Sequence, residues 1–197
     1  MENTRKAALD MFFIQLIWAF WFLGIMLIIN VVRIIVFGRE VNTFYDSVYV
    51  AGNIFMLVIG LISTAFLPYF VELGVTRKAY FKGVLFAALG LSIALPILSL
   101  VISYLEKIVL SLFMNPSFVN ASYNDIDFDG NVIGDLIEVI VAAPHVSIED
   151  QFFLSLALFS FHLFSYYLAG WFISCCYYRF GQIAFVSIAI AVSMYLL

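Results

Sequence analysis

The chain has 197 residues and a formal charge of −4. It is 65% hydrophobic and only 11% charged, against about 45–50% and about 25% in soluble domains, so a soluble globular fold is excluded. The 22 Phe and 11 Tyr suit lipid-facing and interfacial surfaces, and no nucleic-acid partner is expected.

A helix needs about 20 apolar residues to cross a hydrocarbon layer about 30 Å thick. Residues 11–32 carry no charge and predict a first span. Residues 48–71, 83–105 and 151–178 predict the second, third and fourth, and residues 180–197 a fifth. The runs are too long and too uniformly apolar for barrel strands, which alternate in short segments. The first run is also too long for a signal peptide and lacks its small-residue cleavage site. The expected fold is therefore all-α: one polytopic transmembrane helical bundle over residues 1–197. Pro68 and Pro96 should kink their spans. Gly60 with Thr64, and Gly83 with Ala87, offer small-residue seams for close helix approach.

Lys and Arg set the orientation. With the N-terminus in the cytoplasm, Arg5, Lys6, Arg77, Lys78, Lys82 and Arg179 all fall inside. Residues 114–150 contain no Lys or Arg but carry Asp125, Asp127, Asp129, Asp135, Glu138, Glu149 and Asp150. This acidic loop is then outside, with a short amphipathic helix predicted over 133–141 and stopped by Pro144.

The segment between the second and third spans is a basic island, Leu73-Gly74-Val75-Thr76-Arg77-Lys78 followed by Tyr80-Phe81-Lys82-Gly83. Thr76 is suited to cap a helix. Each of the three cations would cost roughly 2.5–3.5 kcal/mol at a bilayer centre, which holds the island at one membrane face. In place and pattern it resembles the cytoplasmic loop after the second span of type-2 ABC exporter permeases, especially the antibiotic- and peptide-export subunits of Gram-positive bacteria. The resemblance implies a short coupling helix in residues 73–83 that inserts into a groove of an ABC ATPase subunit. Gly74, Thr76, Arg77, Lys78, Tyr80, Phe81 and Lys82 would form that contact. It also implies a second permease subunit, homo- or heterodimeric, and six spans where five are seen here, so either the sixth is missing or this is a five-span form. Family members often begin with a longer amphipathic helix than Met1 to Leu9 provides. Positive-inside selection alone would also place cations in this loop.

Other candidate chemistry is sparse. Asp125-Ile126-Asp127-Phe128-Asp129-Gly130 matches the first half of a calcium loop, but Leu136 stands where the bidentate Glu belongs. It is a weak calcium candidate and reads better as an acidic turn. His162 lies mid-span with no acidic partner on its own helix, and an intramembrane ionisable residue is a functional candidate by default. A neutral His bonded to a Ser or a backbone carbonyl is the plainer reading. Glu106 and Lys107 can pair at the outer end of the third span, and Asp10 lies within reach of Arg5 or Lys6. Cys175 and Cys176, at the reducing inner face, read as soft apolar residues. No catalytic set and no cofactor is expected. The chain lacks a phosphate-binding G-x-x-x-x-G-K-[ST] loop, so ATP hydrolysis would belong to a partner.

The expected function is thus the membrane-spanning half of an ATP-driven exporter in a bacterial cytoplasmic membrane, with antimicrobial peptides or other amphiphiles as the implied cargo. The rival is a non-transporting sensor, immunity or scaffold protein whose acidic outer loop binds a cationic peptide.

Overall fold

The computed structural model describes residues 2–37, 40–113, 117–119 and 152–181. In chain order these form α1 (Glu2–Phe37), β1 (Glu40–Asn42), α2 (Phe44–Ser63), a 3-10 turn (Thr64–Phe66), α3 (Leu67–Glu72), α4 (Arg77–Phe113), β2 (Ser117–Val119) and α5 (Phe152–Phe180). The fold is helical apart from β1 and β2, which pair in parallel with Val41 opposite Phe118. Among the described residues, four segments are long and apolar enough to cross a membrane: Arg5–Val36, Phe44–Glu72, Arg77–Leu112 and Phe152–Phe180. The expected fifth span lies almost wholly outside the described residues, as do the acidic loop, the 133–141 helix and Asp125, Asp127 and Asp129.

The helices run past the apolar segments that predicted them. Helix α1 starts nine residues ahead of the expected span, and α4 starts at Arg77 rather than 83. Hydropathy marks the stretch that tolerates lipid, whereas backbone hydrogen bonding continues into the interface. At 36 and 37 residues, α1 and α4 are each about 55 Å long at 1.5 Å per residue. They exceed the hydrocarbon layer and must tilt or project from it.

Neighbouring helices are not all neighbours in sequence. The closest pairings are α1 with α4 and α2 with α5. Gly83 meets Ala7 and Ala8, Gly90 meets Phe12, and Asn30 meets Glu106. The sequence offset stays nearly constant along these contacts, so α1 and α4 run parallel. Tyr45 meets Phe159, Gly52 meets Leu163, and Gly60 meets Tyr167 and Trp171, so α2 and α5 are parallel too. Phe22 stacks on Phe55 while Trp18 reaches Phe66, which sets the two pairs antiparallel to each other.

One stripe of α1 is buried: Ala7, Met11, Gln15, Ala19, Leu23, Asn30 and Ile34. Against it lie Val84, Ala87, Ala88, Leu91 and Leu95 of α4. Small residues let these backbones close up, as packing in lipid requires. The opposite face of α1 exposes Ile17, Trp21, Ile28 and Ile35, as a lipid-facing surface should.

The expected kink at Pro68 takes a definite form. Proline has no N–H to give to the Thr64 carbonyl. The Leu67 N–H bonds that carbonyl instead, producing the 3-10 turn between α2 and α3. The Ser63 carbonyl then accepts a hydrogen bond from the Tyr80 hydroxyl of α4. Pro96 sits inside α4, where the Ser99 hydroxyl donates back to the Pro96 carbonyl at 2.8 Å.

Candidate functional site

The basic island becomes a tight corner. Helix α3 ends with Gly74 at φ +81°, a backbone region that glycine enters without strain. The Gly74 N–H bonds the Val71 carbonyl at 2.9 Å, and the Val75 N–H bonds the Phe70 carbonyl at 2.9 Å. This crossed pair is the Schellman arrangement that satisfies the last carbonyls of a helix. Two residues later Thr76 starts α4: its hydroxyl oxygen accepts from the Ala79 N–H at 3.2 Å. Its carbonyl accepts from the Tyr80 N–H at 2.9 Å. Thr76 is therefore an N-cap.

Between the two helices lie only residues 73–76. No separate short helix forms there; Arg77 to Gly83 are the opening turns of α4. The same capping that fixes the corner extends α4 backward, leaving no length for an independent coupling helix.

The corner sorts the candidate residues by face. Gly74, Thr76, Arg77, Lys78, Phe81 and Lys82 are exposed. Lys78, Phe81 and Lys82 are spaced i, i+3, i+4 and share one side of α4. The Phe81 ring rests on Trp171 of α5, centroids 4.7 Å apart, yet keeps 53% of its surface exposed. Leu73 and Tyr69, at the end of α3, are also exposed, and exposed Glu72 contributes one opposing charge.

Tyr80 does not belong to this surface. It is only 3% exposed and lies against Phe70, ring centroids 5.3 Å apart. With its hydroxyl committed to Ser63, it ties α4 to α2 from inside. Helical periodicity turns position 80 away from 78 and 82, so an aromatic that reads as a contact residue in a linear string becomes an anchor.

His162 is half-buried on α5. Its Nδ1 lies 2.9 Å from the Leu158 carbonyl one turn earlier, and its ring is 6.3 Å from that of Tyr49. Cys175 and Cys176 are free thiols, and Cys175 Sγ is 3.8 Å from the Thr64 hydroxyl. Among the described residues no group of His, Cys, Asp and Glu is placed to hold a metal ion.

Several buried polar contacts that link helices were not anticipated. Gln15 Nε2 donates to the Tyr167 hydroxyl at 2.8 Å, joining α1 to α5. Asn30 Nδ2 donates to Glu106 Oε1 at 2.8 Å, joining α1 to α4. The Tyr45 and Ser155 hydroxyls meet at 3.4 Å between α2 and α5. Such contacts inside a membrane contribute about 0.6 kcal/mol on average and up to about 2 kcal/mol. The available signal was the isolated Gln and Asn in the otherwise apolar first run, both on the buried stripe of α1.

No protein-family model, curated protein or solved structure matches this chain. The resemblance to exporter permeases rests on its own sequence pattern and layout.

Proposed function

We propose that the chain is the membrane-spanning subunit of an ATP-driven ABC exporter and that the α3–α4 corner is where its ATPase docks. The observation carrying this reading is the exposed face of Arg77, Lys78, Phe81 and Lys82 on a corner held from three directions. The Gly74 turn, the Thr76 cap and the Tyr80–Ser63 bond fix it to the bundle. A docking element that transmits force needs both properties: side chains free to bind, and a backbone unable to yield.

In this reading the corner faces the bacterial cytoplasm, as the positive-inside rule favours. The space between the four helices is filled by Tyr45, Tyr49, Met56, Leu95, Phe159 and Leu163, all buried. A cargo path would therefore lie between two such subunits rather than through one. Movement of the ATPases would act on α4, and through its long contact with α1 on the parallel pair as a unit.

Purification from native membranes in mild detergent, followed by mass spectrometry, tests the proposal. An ABC ATPase retained in stoichiometric amount supports it. A chain recovered without any ATPase contradicts it and favours the non-transporting sensor or scaffold reading.

A further inference from the structure

Near the far end of the α1–α4 seam, Asn30 and Glu106 are 1% and 7% exposed. Both lie within segments long and apolar enough to cross the membrane. Their single hydrogen bond, Asn30 Nδ2 to Glu106 Oε1, leaves two oxygens, Asn30 Oδ1 and Glu106 Oε2, buried with no hydrogen-bond partner. Both orphans are acceptors when the carboxyl is ionised, and neither can serve the other. A buried acceptor without a donor is costly, and an ionised one more so.

One added proton resolves both. A carboxylic acid has an O–H donor on one oxygen and an acceptor on the other, and a primary amide has the complementary set on N and O. We propose that Asn30 and Glu106 form an intramembrane proton-binding pair. Glu106 carries a proton on Oε2 and donates it to Asn30 Oδ1, while Asn30 Nδ2 donates to Oε1. Loading takes one proton from water and converts a carboxylate to a neutral acid; release returns it. The exporter reading is not needed for this assignment.

Among the residues whose side chains are described, the charged groups at this end of the bundle are few. Helix α1 contributes half-buried Arg33 and α4 half-buried Lys107. Asp46, on the first turn of α2, has its Oδ2 engaged by the Thr43 hydroxyl at 2.7 Å. Helix α5 brings no charged residue before Arg179 and only His162 as a further titratable ring besides its tyrosines. Ser103, 6% exposed and one turn before Glu106, is the remaining polar neighbour on α4.

The test uses the full chain in lipid. Infrared difference spectra between wild type and Glu106→Gln at neutral pH should show loss of a protonated-carboxyl C=O band, and Asn30→Leu should shift that band. The Gln variant reproduces both hydrogen bonds of the protonated acid. It should therefore melt with wild type below about pH 4, where the carboxyl is protonated in the folded and unfolded chain alike, and increasingly above it as pH rises, because ionisation of Glu106 in the unfolded chain then favours unfolding of wild type alone. Loss of carboxylate bands instead, or a Glu106→Gln protein less stable than wild type at neutral pH, would overturn the assignment. Either result would mean an ionised Glu106 held by Lys107, Arg33 or a metal cation. Lys107→Gln separates the first of these: the protonated pair keeps its acid band in that variant, whereas a carboxylate held by Lys107 would gain one.

Discussion

Gly60 and Gly170 sit against each other's helices where α2 crosses α5. A Cβ at Gly60 would overlap the Tyr167 carbonyl oxygen and fall 2.9 Å from the Trp171 nitrogen. A Cβ at Gly170 would overlap the Leu57 carbonyl oxygen and fall 3.0 Å from the Leu61 nitrogen. The obstacles are backbone atoms on both sides, so no rotamer change relieves them.

Gly60→Ala and Gly170→Ala should each destabilise the bundle. Alanine favours a helix by about 1 kcal/mol over glycine, but forcing apart a packed seam costs about 1–3 kcal/mol and more when backbone must move. The clash wins. Gly24 is the control: a Cβ there meets nothing within 4 Å, so Gly24→Ala should be neutral or slightly stabilising. Thermal unfolding of the three variants in one detergent checks the order. Equal melting points for all three would mean that α2 and α5 do not cross at this seam.

Tyr80→Phe should destabilise the corner by about 1–3 kcal/mol, the cost of leaving the buried Ser63 carbonyl without its donor. The ring would still fill its place against Phe70, so packing loss contributes little. The variant should melt below wild type while inserting normally. Unchanged stability would mean that water reaches Ser63 and that Tyr80 is not the anchor.

The proposed orientation, with the basic corner inside, predicts opposite labelling at two engineered cysteines. Lys78→Cys, at an exposed position, should react with an impermeant maleimide only after lysis, whereas Ser122→Cys in the acidic segment should react in intact cells. Reversed labelling would move the basic corner to the outer face.

The sequence made the long helices legible because lipid imposes one simple demand, an uninterrupted apolar run with no cations inside. The Thr76 cap and the small-residue seams could be read for the same local reason. Partnership between helices could not. That α1 lies along α4 and α2 along α5 depends on which small and polar residues meet across gaps of more than 75 residues, as with Asn30 and Glu106. Tyr80 illustrates the same gap at the corner. Its neighbours in sequence are contact-like, and only the direction of its side chain, set by the start of α4 at Arg77, reveals it as internal. Helix α2 likewise starts at Phe44, ahead of the apolar span expected from residue 48. Thr43 caps it, accepting from the Asp46 N–H at 3.3 Å, and the Thr-x-x-Asp spacing is a helix-start signal.

Charge reversal at the α3–α4 corner distinguishes the proposed ATPase dock from a passive basic turn. Arg77 and Lys78 are exposed, so Arg77→Glu with Lys78→Glu should leave insertion and melting temperature close to wild type. If the corner docks an ABC ATPase as proposed, recovery of that ATPase by pull-down from detergent extracts should fall to background with the double variant. Full recovery of the ATPase with a correctly inserted double variant would contradict it.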